Sequence, residues 1–292
     1  TLNNIGAVYE SLSEYAKALG HYMQALDLRR QAGDVGAEGL TLSNIGGVYD
    51  SLGQYPKALE YYQQALGLLR QTSSRRDVGT TLNNMGLVYD NMGQPEAALE
   101  HYEQALEFRR QAGDLAGEAM TLNNMAVVYN ARGEYPLALE YLAQALEILG
   151  GLGDLAGQGT VLNNVGYVYD SMGELEQALS FYQRALNIAK EIDDRANQAA
   201  ILGNIGLIYE NQGRLEDALH AYEESIRIRE SIRSAAGLEE FKTSLSEQAT
   251  LLYQRAATLR LRLGQPAEAF DLSERARART FLDQLGNTRL DL

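Results

Sequence analysis

The sequence repeats itself every 40 residues, and this period constrains the fold more than any other feature. The segment TLNNIG at residues 1–6 returns as TLSNIG at 41–46 and as TLNNMG at 81–86, and related copies begin at 121, 161 and 201. A fixed period of this length is typical of arrays in which each unit buries its apolar face only against its neighbours. We therefore expect a stack of similar units rather than separate globular domains.

Each unit contains two stripes of apolar residues with helical spacing, one over its first 12 positions and one over positions 18–26. Stripes of this kind predict two amphipathic helices per unit, here called helix A and helix B. Gly6 and Ala18 are expected to face each other where the two helices cross, with the larger Tyr9 and Tyr22 beside them.

Glycine and proline mark where the helices end and begin. A glycine in the left-handed conformation is expected to end each helix A, with Ser13 in its place in the first unit. These glycines are Gly53, Gly93, Gly133, Gly173 and Gly213. All four prolines (Pro56, Pro95, Pro136 and Pro266) follow this kind of turn. Proline is tolerated in the first turn of a helix, so helix B is predicted to begin there. Asp34, Asp114 and Asp154 follow glycines between units and are expected to cap the next helix A.

The residues that recur resemble the tetratricopeptide repeat signature. In the first unit they are Ile5, Gly6, Tyr9, Ala18, Tyr22 and Ala25. The period of 40 exceeds the usual 34 and is similar to that of kinesin light chains and bacterial regulatory arrays. The resemblance implies an all-α, right-handed α-solenoid of antiparallel helix pairs. It also implies a protein-interaction scaffold without a cofactor, rather than an enzyme.

The resemblance covers six units over residues 1–240, the first of them truncated at its N-terminus. The next turn glycine is Gly264, where the period would place a glycine at 253. A divergent seventh helix pair and tail are therefore expected over 241–292, with helix A near Thr243–Leu263 and helix B extending toward Leu285. The basic stretch around Arg275–Arg279 resembles the junction that precedes a caspase-like protease domain in bacterial fusions. This likeness implies that the array is part of a longer protein.

An asparagine precedes the large residue and glycine of every unit. The ladder consists of Asn4, Asn44, Asn84, Asn124, Asn164 and Asn204. A carboxamide both donates and accepts, so it can match the N–H and C=O groups of a bound peptide. In tetratricopeptide arrays helix A lines the concave groove, and an asparagine at this place binds a peptide backbone in several members. The alternative is that these side chains join neighbouring helices and hold the repeats in register.

Two further rows are predicted on the same face of helix A. The acidic row consists of Glu10, Asp50, Asp90, Asp170 and Glu210, with Asn130 at the fourth position. Such a row would attract basic segments, although it could also be a solvated polar face. The variable row consists of Ala7, Gly47, Leu87, Val127, Tyr167 and Leu207. Its last four members would form side-chain pockets for a bound peptide.

Composition limits the remaining possibilities. The chain has no cysteine and a net charge of -14, which disfavours nucleic acid and anionic membranes as partners. No apolar run reaches the ~18 residues of a membrane helix, and we expect a cytoplasmic location. The three histidines lack a second ligand at helical spacing, so no metal site is expected. The expected partner is a protein or peptide segment, with a basic segment favoured. The alternative is a structural spacer or a module that self-associates through exposed ends.

Overall fold

Residues 1–236 and 246–288 are described by a computed structural model, and their regular structure is entirely α-helical. The helices are α1 (Leu2–Ser11), α2 (Tyr15–Ala32), α3 (Val35–Ser51), α4 (Tyr55–Leu69), α5 (Arg75–Asn91), α6 (Pro95–Ala112), α7 (Leu115–Ala131), α8 (Tyr135–Leu152), α9 (Leu155–Ser171), α10 (Leu175–Glu191), α11 (Arg195–Asn211), α12 (Leu215–Ala236), α13 (Ser246–Arg262) and α14 (Pro266–Thr288). The chain forms two compact units, Thr1–Gly153 and Asp154–Leu292.

Within each unit, consecutive helices pack as pairs. In the first unit each odd-numbered helix is a helix A and packs on the helix B that follows it, and α2, α4 and α6 also pack on the next helix A. The second unit continues this order from α9 to α14. The predicted all-α repeat fold is therefore confirmed.

The turns inside the helix pairs have the predicted conformation. Gly53, for example, has φ 68° after α3, and the equivalent glycines of the later pairs also have positive φ. Ser13 adopts φ 57° at the first turn, a region that costs energy for a residue with a side chain. Pro95 and Pro266 are the first residues of α6 and α14, as the proline pattern predicted.

Aspartates cap the helices that begin each new pair. The backbone N–H of Ala37 donates to Asp34 Oδ1 at 3.0 Å, and that of Gly157 donates to Asp154 Oδ1 at 2.9 Å. The backbone N–H of Gly117 donates to Asp114 Oδ1 at 3.4 Å, and that of Asn197 donates to Asp194 Oδ1 at 3.0 Å. The capping prediction is confirmed, because these bonds satisfy N–H groups that have no partner inside the helix.

The close packing between helices A and B differs in one respect from the prediction. The ring of Tyr22, not Ala18, lies nearest to Gly6, and a Cβ added to this glycine would be 2.7 Å from Tyr22 Cδ1. Tyr9 instead stacks on His21, with the ring centroids 5.3 Å apart. The glycine therefore admits a buried tyrosine ring, because helix A has no side chain at the point of contact.

The last helix pair of the second unit consists of α13 and α14, and Gly264 between them has φ 74°. The helix expected over Thr243–Leu263 corresponds to α13, which begins at Ser246, and residues 243–245 lie outside the described residues. The helix expected toward Leu285 is α14. The final part of the predicted tail, residues 289–292, also lies outside them. In the described part of the chain no helix is long and apolar enough to cross a membrane.

Candidate ligand-binding face

The asparagine ladder forms hydrogen bonds between neighbouring repeats. Asn44 Nδ2 donates to Asn3 Oδ1 at 3.3 Å, and Asn124 Nδ2 donates to Asn83 Oδ1 at 3.2 Å. In the second unit Asn204 donates in the same way to Asn163. These bonds are the contacts expected if the ladder holds repeats in register. Since each uses only the amide N–H of the ladder residue, they do not exclude a second role for its oxygen.

The third repeat differs, because Ser43 occupies the position of the accepting asparagine. Ser43 Oγ lies 3.4 Å from Thr81 Oγ1. Asn84 instead forms a hydrogen bond with the hydroxyl of Tyr62, which opposes the rise in the pKa of Tyr62 that burial causes. The ladder therefore contacts either the preceding helix A or a buried tyrosine, depending on the repeat.

The two glutamates of the acidic row accept hydrogen bonds from tyrosines of helix B. Tyr22 Oη donates to Glu10 Oε2 at 2.6 Å in the first unit. In the second unit Tyr222 Oη donates to Glu210 Oε2 at 2.8 Å, and Arg255 Nη1 on α13 donates to the same oxygen at 2.9 Å. The row is therefore not a freely solvated face, because its carboxylates lie against the ends of buried tyrosine rings.

In the described part of the chain, no tyrosine hydroxyl donates to an aspartate of the row. Burial raises the pKa values of Asp50, Asp90 and Asp170, and for Asp50 a hydrogen bond from Asn91 opposes this rise. Asp50 Oδ1 is buried without a hydrogen-bond partner among the described residues, as is Tyr102 Oη. In the third repeat the shorter aspartate leaves Tyr102 Oη unpaired, whereas in the second repeat the hydroxyl of Tyr62 bonds to Asn84.

The variable row lies beside the acidic row. A Cβ added to Gly47 would be 3.4 Å from Glu10 Oε1 and 3.5 Å from Tyr62 Oη, which places this position between the carboxylate of one repeat and the tyrosine of the next. Leu87 and Val127, the next positions of the row, are 39% and 40% exposed. The face formed by α1, α3, α5 and α7, here called the A face, therefore combines exposed apolar side chains with half-buried carboxylates.

The second unit has the same combination of residues. Tyr167 of the variable row is half exposed, and Leu207 is partly buried. Tyr182 Oη has no hydrogen-bond partner among the described residues, as with Tyr102 in the first unit. The charge of Asp170 raises the pKa of Tyr182 further after burial has raised it.

The pairing of acid and tyrosine was not among the contacts predicted from the sequence. In the fourth repeat Ala126 replaces the glycine, Asn130 the acid and Leu142 the tyrosine, while the other five repeats keep all three original residue types. The joint change of three positions was visible in the sequence. It indicates that glycine, tyrosine and acid form one structural group.

The described residues contain no group of three or more histidine, aspartate or glutamate side chains that could hold a metal ion. The A face instead presents amides, carboxylates, hydroxyls and apolar side chains. These groups can bind a peptide through hydrogen bonds, charge and apolar contact.

The stacked helix pairs and the A face define a helical repeat protein. The tetratricopeptide repeat profile matches residues 1–71, 77–150 and 157–231, and the chain belongs to this family. No curated protein sequence is matched by the chain.

Several solved structures share the fold. One is a signal transduction ATPase (STAND) protein with a tetratricopeptide repeat sensor from Pyrococcus horikoshii, with TM-score 0.69 and 17% identity over 99% of this chain and 43% of the other. A Rap protein complexed with competence and sporulation factor has TM-score 0.60 and 16% identity over 95% and 87%. A Podosopora anserina chain described as a kinesin light chain with nearly identical TPR-like repeats has TM-score 0.53 and 17% identity over 66% and 95%. At these identities the likeness concerns the fold alone.

Proposed function

We propose that the protein is an interaction scaffold that binds a peptide or protein segment on the helix A surfaces of its repeats, and that it does not act as an enzyme. The observation that carries this proposal is the exposure of Leu87 and Val127 beside half-buried carboxylates. Exposed apolar side chains at one register position are a typical anchor for a bound segment. We further propose a cytoplasmic regulatory or sensing role within a larger protein, since similar folds include a repeat sensor and a Rap protein complexed with a factor.

Three rows of side chains would each make a different kind of contact with the bound segment. The asparagines Asn4, Asn44, Asn84, Asn124, Asn164 and Asn204 would contact the peptide backbone while also joining repeats. The residues Leu87, Val127, Tyr167 and Leu207 would contact its side chains. The acids Glu10, Asp50, Asp90, Asp170 and Glu210 would attract a basic segment, in keeping with the net charge of -14.

A peptide array tests this function with two double variants of the full chain. We expect Leu87→Ser with Val127→Ser to lose peptide binding, because both exposed anchors of the A face are removed. The matched control is Leu28→Ser with Leu137→Ser, which removes two exposed leucines from helices B of the same unit. Binding that survives in the first double variant, or that is lost equally in both, would contradict a site on the A face.

Binding to the peptide array also distinguishes the two roles of the asparagine ladder, which are contact with a peptide and hydrogen bonding between repeats. The triple variant Asn84→Ala, Asn124→Ala, Asn164→Ala should lose peptide binding if the amides contact the peptide. Because Asn124 also bonds to Asn83, the melting temperature of the variant must be measured alongside. A triple variant that is less stable but binds peptides as well as the unaltered chain would assign the ladder a structural role only.

Self-association is the second candidate, and one observation favours it. Ile5 and Val8 on α1 are 43% and 57% exposed, whereas the equivalent Ile45 and Val48 are fully buried. A second copy of the chain could cover this surface of α1. Sedimentation should then show mass rising with concentration, and Val8→Lys should abolish the rise. A constant mass would rule this candidate out.

A further inference from the structure

We propose that the A face of the first unit contains a subsite for one arginine side chain of the bound segment, formed by Asp50, Asp90 and Tyr102. This arginine subsite lies between the second and third repeats. The inference rests on the proposed peptide-binding function and specifies one chemical group of the ligand.

Two polar atoms of this subsite, one on Asp50 and one on Tyr102, are buried without a hydrogen-bond partner among the described residues. Tyr102 is fully buried, and its hydroxyl has no hydrogen-bond partner among the described residues. The charges of Asp90 and Asp50 both add to the rise in its pKa that burial causes. The repeat register supports their proximity, because Tyr222 Oη lies 2.8 Å from Glu210 Oε2 at the equivalent positions of the sixth repeat. Asp50 Oδ1 is also buried and unpaired. Buried acceptors without a donor are costly, so a ligand that supplies donors here gains binding free energy.

The second unit shows what kind of donor satisfies such a pair. Arg255 on α13 binds Glu210 Oε2 at 2.9 Å, and the same oxygen accepts from Tyr222 Oη. Arg255 also forms a hydrogen bond with the Tyr222 hydroxyl, which partly offsets the rise in its pKa. One guanidinium therefore contacts the carboxylate and the tyrosine of a single repeat at once.

Asp90 and Tyr102 occupy in the third repeat the positions that Glu210 and Tyr222 occupy in the sixth. Among the described residues no arginine or lysine forms an ion pair with Asp50 or Asp90. A ligand arginine would supply the guanidinium that the chain itself supplies to Glu210. Arginine fits better than lysine, because its planar fork presents several donors that can bind the carboxylates and the hydroxyl together.

The neighbouring residues fit the rest of an arginine side chain. Leu87 holds in the third repeat the place that Gly47 holds in the second, and Gly47 lies beside Glu10 and Tyr62. By this register Leu87 lies beside Asp50 and Tyr102. Since Leu87 is 39% exposed, it offers apolar surface for the methylene stem of the arginine. The fourth repeat limits the subsite, because Asn130 and Leu142 replace the acid and the tyrosine there.

The test uses acetyl-Ala-Leu-Arg-Leu-Ala-amide as the probe, with a counterpart in which neutral citrulline replaces arginine. Binding to the full chain is followed by NMR with labelled tyrosine. We expect the arginine peptide to shift the Tyr102 signal and the citrulline peptide to leave it unchanged. Asp90→Asn should weaken binding by about tenfold or more, the loss expected for a charge-assisted contact. Tyr102→Phe should weaken it by a smaller factor.

Asp27→Asn is the matched control, because Asp27 is exposed on α2 of the same unit and its loss changes the net charge equally. Asp90→Asn should fold normally, since Asn130 already occupies this position in the fourth repeat. The subsite is refuted if both variants weaken binding equally, if citrulline binds as well as arginine, or if Tyr102 does not respond. Array peptides that bind through Leu87 and Val127 without depending on Asp90 would refute the subsite and leave the proposed function intact. If no peptide of the peptide array binds the chain, both the arginine subsite and the proposed function are refuted.

Discussion

The third and fourth repeats both form a pair of helices A and B, but different side chains lie between these two helices. In the third, Gly86 lies against the ring of Tyr102, and the charge of Asp90 adds to the rise in the pKa of this tyrosine that burial causes. In the fourth, the corresponding residues are Ala126, Leu142 and Asn130. Ala126 and Leu142 are fully buried, so the fourth repeat excludes solvent from this contact as the third does. A fully apolar contact is therefore sufficient to build this repeat.

The comparison indicates that the tyrosine and the acid of the third repeat are not required for packing. Asn130 is itself 7% exposed with an unpaired Oδ1, so the fourth repeat keeps a polar group at this position but no charge. The third repeat instead holds a half-buried carboxylate next to an unpaired hydroxyl. Polar groups that reduce stability without improving packing are frequently found at ligand-binding sites.

The largest expected effect comes from Gly86→Ala, which gives the third repeat the alanine that the fourth repeat has at this position. A Cβ added by Gly86→Ala would be 2.6 Å from Tyr102 Cε1, and the ring is fully buried. We expect the free energy of unfolding to fall by about 1–3 kcal/mol, as for other overpacked cores. Urea denaturation of the full chain measures the change.

The control for this prediction replaces Tyr102 by leucine, the residue that the fourth repeat has at the same position. Tyr102→Leu alone should also destabilise the protein, because it leaves a cavity opposite Gly86. The double variant reproduces the alanine and leucine of the fourth repeat, so it should be more stable than the sum of the two single changes implies. Additive effects would contradict the view that glycine and tyrosine form one structural group.

The repeat period, turn glycines, caps and helix pairs could be predicted from the sequence because they depend on local spacing. The side-chain partners could not, because they depend on how far each side chain reaches. Glu210 accepts a hydrogen bond from Tyr222, whereas Asp90 leaves Tyr102 Oη unpaired, yet both residues appear simply as acids in the sequence. Arg109 is a second example, since it is almost fully buried and donates to Thr121 Oγ1 at 2.9 Å.

A smaller effect is expected from removing single tyrosine hydroxyls. Tyr22→Phe deletes the donor of the 2.6 Å bond to Glu10, and we expect a loss of about 1 kcal/mol in unfolding free energy. Tyr102→Phe deletes a hydroxyl without a partner, so it should leave stability within about 0.5 kcal/mol or raise it. Thermal unfolding of the two variants side by side tests the difference. Equal losses would mean that the hydroxyl of Tyr102 is satisfied in solution.

The smallest effect, and the one that best separates binding from packing, is expected from Asp90→Asn. Burial raises the pKa of Asp90 above its ordinary value, so in the folded state it holds its proton to higher pH than in the unfolded state. The carboxyl group therefore reduces stability as pH rises through the window between these two pKa values, and the reduction stays constant above it. Asp90→Asn should raise the unfolding free energy at neutral pH by less than about 1 kcal/mol, because partial exposure screens the charge.

The gain should disappear when the pH falls below the ordinary aspartate pKa of about 3.9, because Asp90 is then protonated in both states. Denaturation at several pH values, with Asp27→Asn as the control for one lost charge, measures the difference between variant and unaltered chain. A variant that is less stable at neutral pH would show that Asp90 has a structural partner. A variant that is more stable but no longer binds the arginine peptide would show that the chain gives up stability at this position to keep a charge for its ligand.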